Sequence, residues 1–359
     1  MNKKVILSCV VVLFGALIFA NLYIFRAPEP VVYEEQTEKE EDTVIGFSQV
    51  GAESDWRTAN SQSMTETFEG KGYTFYFEDA QQKQYNQITA IRKFIQQGVD
   101  YIVLAPVTET GWDTVLMEAK EANIPVIICD RMVDVEDDSL YSCWVGSDFL
   151  LEGKKAAQWL KAFCDKNNIS GKDVHVVDIQ GTIGATAQIG RSQGLKWGAA
   201  RYGWDIVAEL QGDFTQTKGY EVTNRLLKSN QELNVIYCEN DNEALGAIKA
   251  IKQNNRKVGS DIMNGEIMII SFDGVGKDAL EYALKGEISC LIECNPIHGP
   301  RVKSIIDALN QGKKPEKMTY VKEEIYSVVR GVDAISIDGV EYKVTPMSQE
   351  IIRQKINNN

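Results

Sequence analysis

Hydrogen-bonding side chains follow one apolar run after another along this chain. They are Gln49, Asp79, Asp130, Gln180, Asn240, Asp273 and Asn295. Carboxylates and amides bind polar ligands through hydrogen bonds, and charge-assisted hydrogen bonds supply strength and direction. For any single residue, capping of the following helix is the simpler alternative, because Asp and Asn are common N-caps. Their recurrence in both halves of the chain favours a shared polar cleft.

The sequence lacks the motifs of several enzyme classes. It has no G-x-G-x-x-G after an apolar run, no phosphate-binding G-x-x-x-x-G-K-[ST] and no H-E-x-x-H. With His175 and His298 as its two histidines, a Ser-His-Asp triad is not expected. Paired carboxylates leave a glycan-processing enzyme open as an alternative. We predict no catalytic residues and no cofactor.

The elements that must position these polar residues alternate between strand and helix. Most of the strand candidates are continuous apolar runs, which is typical of parallel strands buried on both faces. These runs are 44–49, 73–77, 101–105, 126–129, 174–179, 206–210, 235–238, 267–272 and 288–292. Helical patterns lie between them, for example at 82–97 and 150–163. The alternation predicts parallel sheets with helices on both faces, and ligands bind beyond the carboxyl ends of the strands in such sheets.

Composition restricts the class of partner. The chain has 359 residues, enough for two α/β lobes, and a formal net charge of −13. An acidic surface argues against binding to nucleic acid or to anionic lipid, because both require a basic surface. The seven cysteines form no C-x-x-C pair, so the spacing of a metal site is absent. We expect most of the thiols to be free, although a Cys290–Cys294 disulfide remains an alternative.

The N-terminus carries a candidate membrane segment. Lys3 and Lys4 precede an apolar run of about 20 residues, the length that crosses a bilayer as a helix. The lysines would stay in the cytoplasm, which places the rest of the chain outside. The segment 18–20 is a poor match to a cleavage site, so we favour an uncleaved anchor over a signal peptide. The acidic, proline-containing segment 27–42 is predicted to be an extended linker.

Three stretches resemble the ribose- and galactose-type periplasmic sugar-binding family, and the first two resemble its galactofuranose-binding branch. The first stretch is GFSQVGAESDWR at 46–57. The second comprises QQKQYNQI at 81–88, QGVD at 97–100, APV at 105–107, TGW at 110–112, IPV at 124–126 and DR at 130–131. The third comprises QGTIGA at 180–185, GDFT at 212–215, ND at 240–241 and FDG at 272–274. The resemblance covers residues 43–322, and the tail from Glu323 has no clear counterpart.

The resemblance implies a set of ligand contacts from both halves of the chain. Trp56 would stack on a sugar ring, and Arg57 would donate to its hydroxyls, with Glu53 and Ser54 in the same loop. Asp130 and Arg131 would grip the ring hydroxyls. Arg191, Asn240 and Asp273 would contribute from the second lobe, Phe214 matches an aromatic position, and Thr182 and Gly184 would supply loop contacts. The simpler alternatives are a packing role for Trp56 and an ion pair or helix cap at Asp130 and Arg131.

The predicted fold is therefore two doubly wound parallel-sheet lobes with a hinge and a central ligand cleft, preceded by one N-terminal transmembrane helix. The predicted parts are the anchor or signal sequence (1–26), the acidic linker (27–42), the first lobe (43–144 and 295–312), the second lobe (145–293 and 313–345) and a C-terminal tail (346–359).

The predicted function is extracytoplasmic binding of a monosaccharide, galactofuranose-like or another aldose, by cleft closure. The predicted partner is a sugar ABC transporter. A membrane-tethered sensor that signals to a histidine kinase shares the same binding chemistry and is the alternative. A repressor of the related fold would need a basic helix-turn-helix at the N-terminus, where this chain has an apolar segment.

Overall fold

The computed structural model describes residues 43–229 and 231–358. Strands and helices alternate through the first part of the chain. These elements are β1 (Thr43–Gln49), α1 (Asp55–Phe68), β2 (Tyr73–Asp79), α2 (Gln84–Gln97), β3 (Tyr101–Leu104), α3 (Asp113–Glu121), β4 (Val126–Cys129) and β5 (Cys143–Gly146).

A second alternating series follows. Its elements are α4 (Phe149–Lys166), β6 (His175–Gln180), α5 (Thr186–Tyr202), β7 (Asp205–Gln211), α6 (Gln216–Leu227), β8 (Val235–Cys238), α7 (Asp241–Gln253), β9 (Lys257–Val258), β10 (Glu266–Asp273), α8 (Lys277–Lys285) and β11 (Cys290–Glu293). The chain ends with α9 (Gly299–Asn310), β12 (Met318–Tyr320), β13 (Ile325–Tyr326), β14 (Ala334–Ile337), β15 (Val340–Thr345) and α10 (Gln349–Asn358).

The strands form two sheets, one in each lobe. The first sheet has the order β12-β5-β4-β3-β1-β2, and all its neighbouring strands are parallel. The second has the order β14-β15-β13-β11-β10-β8-β6-β7, with β9 paired to β10. It is parallel from β7 to β11, and antiparallel pairs enter only at β11–β13 and β14–β15. The predicted two-lobed α/β fold is confirmed.

Burial explains why the apolar runs are strands. Every residue of β3, β4, β8 and β11 is buried, as expected for strands covered by helices on both faces. Each lobe therefore has two apolar clusters. All nine predicted strands are present, with ends that differ by at most two residues from the predicted ones. The two predicted helices correspond to α2 and α4.

The chain passes between the lobes three times. The crossings connect β5 to α4, β11 to α9, and β12 to β13. They are hydrogen-bonded to one another or to strand ends: the Val321 amide donates to the Gly146 carbonyl, and the Glu293 amide donates to the Glu324 carbonyl. The hinge therefore consists of three crossings that lie side by side and are linked by hydrogen bonds, so that movement of one crossing affects the others.

Two of the predicted lobe boundaries need correction. Strand β5 belongs entirely to the first sheet and ends at Gly146, beyond the predicted boundary at residue 144. Strand β12 also belongs to the first sheet, where Met318 pairs with Trp144, although 313–345 was assigned to the second lobe. The sequence concealed β12 because an edge strand of three residues is too short to show a periodic apolar pattern.

The N-terminal anchor and the acidic linker lie outside the described residues. Within 43–229 and 231–358, no helix combines the length and the apolar character needed to span a bilayer. The six cysteines in the described part of the chain are free and buried, so the alternative of a Cys290–Cys294 disulfide is not realised.

Helices α4 and α5 approach each other closely through glycines. A Cβ atom on Gly194 of α5 would lie 2.3 Å from the backbone of Gly153 on α4, which is far inside van der Waals contact. One on Gly153 would lie 2.7 Å from the carbonyl oxygen of Arg191. Larger residues at either position would push the two helices apart.

We therefore expect Gly194→Ala to lower the free energy of unfolding by about 2 kcal/mol, although alanine is the better helix former. Urea denaturation followed by circular dichroism measures the change. Gln193→Ala, at an exposed position on the same helix, is the control and should leave the stability almost unchanged. An equally stable Gly194→Ala protein would show that the helices separate without cost.

Candidate ligand-binding site

A small cavity lies between the lobes, beyond the carboxyl ends of both sheets. The space between its side chains, including the part that is open to solvent, is about 280 Å³. Its lining combines charged, amide and aromatic side chains from both lobes. The lining residues are Glu53, Ser54, Trp56, Arg57, Asp130, Arg131, Phe149, Ala187, Arg191, Phe214, Asn240, Asp273 and Cys294. The structure thus brings together ten of the twelve residues that the sequence analysis selected.

The other two residues lie beside the cavity. Thr182 and Gly184 belong to the loop between β6 and α5, and neither lines the cavity. The Gly184 carbonyl accepts a hydrogen bond of 2.9 Å from the Glu109 amide of the first lobe. The Cβ that Gly184 lacks would be 3.6 Å from Thr108. This loop therefore contacts the opposite lobe, and its direction after β6 could not be inferred from the sequence.

The start of α1 presents Trp56 and Arg57 to the cavity. The Ser54 side chain caps the helix by accepting from the Arg57 amide at 3.2 Å, which fixes the first turn. The Trp56 indole donates to the Cys294 carbonyl at 2.8 Å, and the Arg57 guanidinium lies 4.6 Å from the centre of the indole ring. The indole is 4% exposed and has its one polar atom satisfied, so its ring supplies an apolar wall.

Buried ion pairs hold the first-lobe side of the cavity. Arg57 contacts Asp130 at 2.8 Å and Glu53 at 3.2 Å. Arg131 contacts the same oxygen of Glu53 at 3.3 Å and donates to the Val107 carbonyl at 3.1 Å. Gln49, which ends β1, accepts from Arg57 at 3.2 Å. Each charge has a partner, as burial requires, and the groups are held in place before any ligand arrives.

The second-lobe side is organised around Arg191 of α5. Its Nε lies 2.7 Å from Glu152 Oε2 of α4, and its Nη2 lies 3.2 Å from Asp273 Oδ1. It also donates to the Glu239 carbonyl and lies 4.8 Å from the centre of the Phe272 ring. Arg191 is 2% exposed and is therefore held almost rigidly.

Asn240 caps a helix and also lines the cavity, where it contacts Phe214. The Asn240 side chain accepts from the Glu243 amide at 2.8 Å and so caps α7, as the simpler alternative proposed. Its amide group also donates to the Phe214 carbonyl at 3.0 Å. The Phe214 ring lies 5.1 Å from the Arg131 guanidinium of the first lobe. An aromatic–cation contact thus joins the lobes across the cavity.

Two of the carboxylates sit on strained backbone. Asp130, after β4, has φ of 63°, and Asp273, at the end of β10, has φ of 90°. Non-glycine residues seldom adopt this left-handed region, and the strain concentrates at functional sites. The carbonyl groups of both residues are fixed by hydrogen bonds of 3.0 Å, from the Trp144 indole to Asp130 and from the Cys294 amide to Asp273.

The charge pairs change the pKa values of the site in different directions. Burial alone would raise the pKa of Asp130, but the charges of Arg57 and Arg131 outweigh burial and hold this pKa below its usual range. Burial and repulsion by Arg57 lower the pKa of Arg131 to about 10. Burial raises the pKa of Asp273 well above its usual value despite Arg191 nearby.

Phe149, Ala187 and Cys294 also line the cavity and were not predicted from the sequence. Cys294 directly follows β11, as Asp130 directly follows β4, and this placement is the one signal that was available. Phe149 and Ala187 lie in the first turns of α4 and α5. They belong to an apolar cluster between the lobes together with Trp56, Phe214 and Cys294.

Comparison with known proteins agrees with this geometry. A family model described as "Periplasmic binding protein domain" matches residues 45–299. The chain belongs to this periplasmic binding protein family. It is 40% identical over 287 residues to the galactofuranose-binding protein YtfQ of Escherichia coli strain K12, which covers 79% of this chain and 87% of that protein. The resemblance drawn from the sequence motifs is confirmed.

Two solved structures of family members are similar in fold and in sequence. A protein from Mycobacterium smegmatis in complex with β-D-fucofuranose is 38% identical, with a TM-score of 0.74 over 79% of this chain and 91% of that chain. The periplasmic component of the arabinose ABC transporter from Shewanella sp. ANA-3, bound to α- and β-L-arabinofuranose, is 41% identical, with a TM-score of 0.73 over 79% and 92%.

Asp130→Asn should lower the free energy of unfolding at neutral pH by about 3 kcal/mol, because Arg57 and Arg131 would then share Glu53 as their one carboxylate. The folded-state pKa of Asp130 is lowered, so its contribution is present above the ordinary carboxyl pKa of about 4 and is lost as the pH falls through the lowered value. The difference in the free energy of unfolding between the wild type and the variant should therefore become smaller as the pH falls.

Urea titrations at neutral and acidic pH measure this gap. Asp134→Asn, at an exposed position, is the matched control and should show almost no difference at either pH. A gap that stays constant down to strongly acidic pH would contradict an ionised, arginine-paired Asp130.

Proposed function

We propose that this protein binds one monosaccharide in its furanose form, outside the cytoplasm, by closing its lobes around the sugar. The observation that carries the proposal is the convergence of Arg57, Asp130, Arg131, Arg191 and Asp273 on one cavity with an indole wall. Binding of a polyhydroxy ring requires donors and acceptors around its edge and an apolar surface against its C–H face.

The side chains divide naturally into these roles. Guanidinium groups are donors only, so Arg57, Arg131 and Arg191 would donate to sugar oxygens. Asp130 and Asp273 would accept from sugar hydroxyls. The Trp56 indole would pack against the C–H face of the ring. Because these side chains are already oriented by each other, binding would require little reorganisation.

The similar proteins favour a furanose sugar as the ligand. They are a galactofuranose-binding protein and two proteins in complex with β-D-fucofuranose and with L-arabinofuranose. The shared feature of these sugars is the five-membered ring, and we assign the same ligand class to this chain.

Besides the hydrogen bond between Glu109 and Gly184, two further hydrogen bonds join the lobes across the cleft in the closed form. The Met132 amide donates to Thr186 Oγ1 at 3.0 Å, and the Asp55 amide donates to Asn242 Oδ1 at 3.0 Å. A sugar that touches both lobes binds the closed form better than the open form and so shifts the population towards closure. The family assignment and the name of the Shewanella relative support an ABC transporter as the recipient of the sugar.

A thermal-shift screen of the full-length protein, purified in mild detergent, tests the proposal. The panel contains L-arabinose, D-galactose, D-ribose and methyl β-D-galactofuranoside. At a free sugar concentration of about 100 times Kd, binding stabilises the native state by about 2.7 kcal/mol, so the melting temperature should rise. If no sugar raises it, and equilibrium dialysis with the same labelled sugars shows no binding, the proposal fails. Conversion of the labelled sugar to another compound would instead indicate an enzyme.

Arg131→Ala should abolish the sugar-induced shift, because it removes a donor from the centre of the cavity. The unliganded protein should change in stability by less than about 1 kcal/mol, since the lowered pKa of Arg131 shows that the fold disfavours its charge and Glu53 keeps Arg57 as a partner. Arg92→Ala, at an exposed ion pair, is the control and should retain the full shift. A large loss of intrinsic stability in Arg131→Ala would identify Arg131 as a structural residue.

We also propose that the segment 1–26 anchors the protein in the cell membrane. The anchor proposal rests on the apolar run and the preceding lysines in the sequence. The protein should sediment with membranes and resist extraction by alkaline carbonate, whereas a variant without residues 1–26 should not. Mass spectrometry of the intact protein provides the decisive control, because a mature N-terminus beyond this segment would establish cleavage.

A further inference from the structure

The three crossings between the lobes meet at a partly buried polar cluster. Ser147 of the first crossing donates to Glu323 Oε1 of the third at 2.6 Å. The Asn295 amide of the second crossing donates to the same oxygen at 2.8 Å. Ser147 Oγ also lies 3.3 Å from Cys294 Sγ. The Glu323 carboxylate is therefore the point at which all three connections are joined.

Glu152 of α4 lies between this cluster and the cavity. It is 1% exposed, and its Oε2 accepts from Arg191 at 2.7 Å. Its Oε1 is buried and has no hydrogen-bond partner among the described residues. A carboxylate oxygen of Glu152, one of Glu323 and Cys294 Sγ all lie within 4.8 Å of one another. The unpartnered oxygen thus belongs to a carboxylate that stands beside a second carboxylate.

Two ionised carboxylates this close in a buried site repel each other, and an unpartnered buried oxygen is costly. One proton removes both problems, because a protonated carboxyl group donates a hydrogen bond to its ionised neighbour. The Ser147 and Asn295 donors already occupy Glu323 Oε1, which leaves the other oxygen of Glu323 to carry the proton. This arrangement resembles the shared proton of carboxylate pairs in general.

We propose that Glu152 is a positioning residue for sugar binding, which holds Arg191 through one carboxylate oxygen and shares a single proton with the hinge residue Glu323 through the other. The inference rests on the proposed function. The charged and titratable groups that face the pair are Lys155 on α4, Arg191 on α5, Tyr237 on β8, Asp273 at the end of β10, Cys294 after β11 and Arg301 on α9.

The electrostatics of the pair agree with this geometry. Burial raises the pKa of Glu323 well above its usual value, repulsion by Glu152 raises it further, and the hydrogen bonds from Ser147 and Asn295 do not offset these effects. The proton is therefore held at neutral pH and is lost only as the pH rises through the raised value. Loss of the proton places two negative charges between the hinge and Arg191, which disfavours the closed, sugar-binding arrangement.

A metal ion is the other species that could bind two carboxylates and a thiol. The guanidinium of Arg191, already paired to Glu152, disfavours a second cation at the same place. Burial raises the pKa of the Cys294 thiol well above its usual value, so the thiol keeps its proton. A proton shared by the two carboxylates satisfies the unpartnered oxygen and leaves this thiol unchanged. The geometry therefore favours a shared proton over a metal ion. Treatment with a chelator distinguishes these two alternatives, because it removes only a metal ion.

The deciding experiment compares the pH profile of sugar affinity in the full-length wild-type protein and in Glu323→Gln. The amide of glutamine mimics the protonated carboxyl group, since it donates to Glu152 and still accepts from Ser147 and Asn295. Affinities for D-galactose and L-arabinose are measured by isothermal titration between about pH 5.5 and about pH 9.5, where a buried glutamic acid loses its proton. Glu341→Gln, at an exposed glutamate on β15, is the matched control.

We expect wild type and Glu341→Gln to lose affinity by about tenfold or more towards alkaline pH. Glu323→Gln should keep its affinity within about twofold over the same range, apart from changes that all three proteins share. Glu152→Gln, which weakens the hold on Arg191, should bind more weakly at every pH. If Glu152→Gln does not fold, the Glu323→Gln profile still tests the proton.

A Glu323→Gln profile that follows the wild type would overturn the inference, and so would a wild-type profile that changes after treatment with EDTA, because the cluster would then hold a metal ion. Failure of wild type to bind either sugar at any pH, together with a negative result for the full sugar panel, would instead count against the proposed function. The two failures are therefore distinguishable.

Discussion

The burial of charge in the cleft is the constraint on which the rest of this structure depends. Arg57, Arg131 and Arg191 are each at most 3% exposed, and each must be paired, because an isolated buried charge is very unfavourable. Their carboxylate partners come from different elements: Asp130 follows β4, Asp273 ends β10, and Glu152 lies on α4. Each of these pairs forms within one lobe, so each sheet must place its carboxyl strand ends beside the arginines of its own lobe for the charges to be satisfied.

The same constraint explains the unusual local features around the cavity. Left-handed backbone at Asp130 and Asp273 is unfavourable by itself, yet it turns each carboxylate towards an arginine. The glycine contact between α4 and α5 brings Gly153 next to the Arg191 carbonyl, and this close approach allows Glu152 to reach the Arg191 side chain. The close packing of α4 and α5 at these glycines thus helps to position the Arg191 side chain.

The hinge and the cavity are neighbouring parts of one polar network. Arg191 connects Asp273, in the cavity, to Glu152, and Glu152 stands beside Glu323, where the three crossings are joined. Movement of the lobes changes the geometry of the crossings, so we infer that the residues proposed to hold the sugar also respond to closure. The C-terminal extension reinforces this region, since Lys355 of α10 pairs with Glu293 at 2.6 Å, where β11 ends.

Much of this organisation was contained in the sequence. Continuous apolar runs identified nine strands, because buried parallel strands need apolar side chains on both faces. Polar residues at strand ends, together with family motifs, identified ten cavity residues, because the carboxyl ends of parallel strands lie at one edge of a sheet. Only the tertiary structure showed that β12 belongs to the first sheet. It also placed Thr182 and Gly184 beside the cavity, outside its lining, and brought Glu152 close to Glu323. These features depend on pairing and proximity between residues far apart in the chain, for which local periodicity carries no signal.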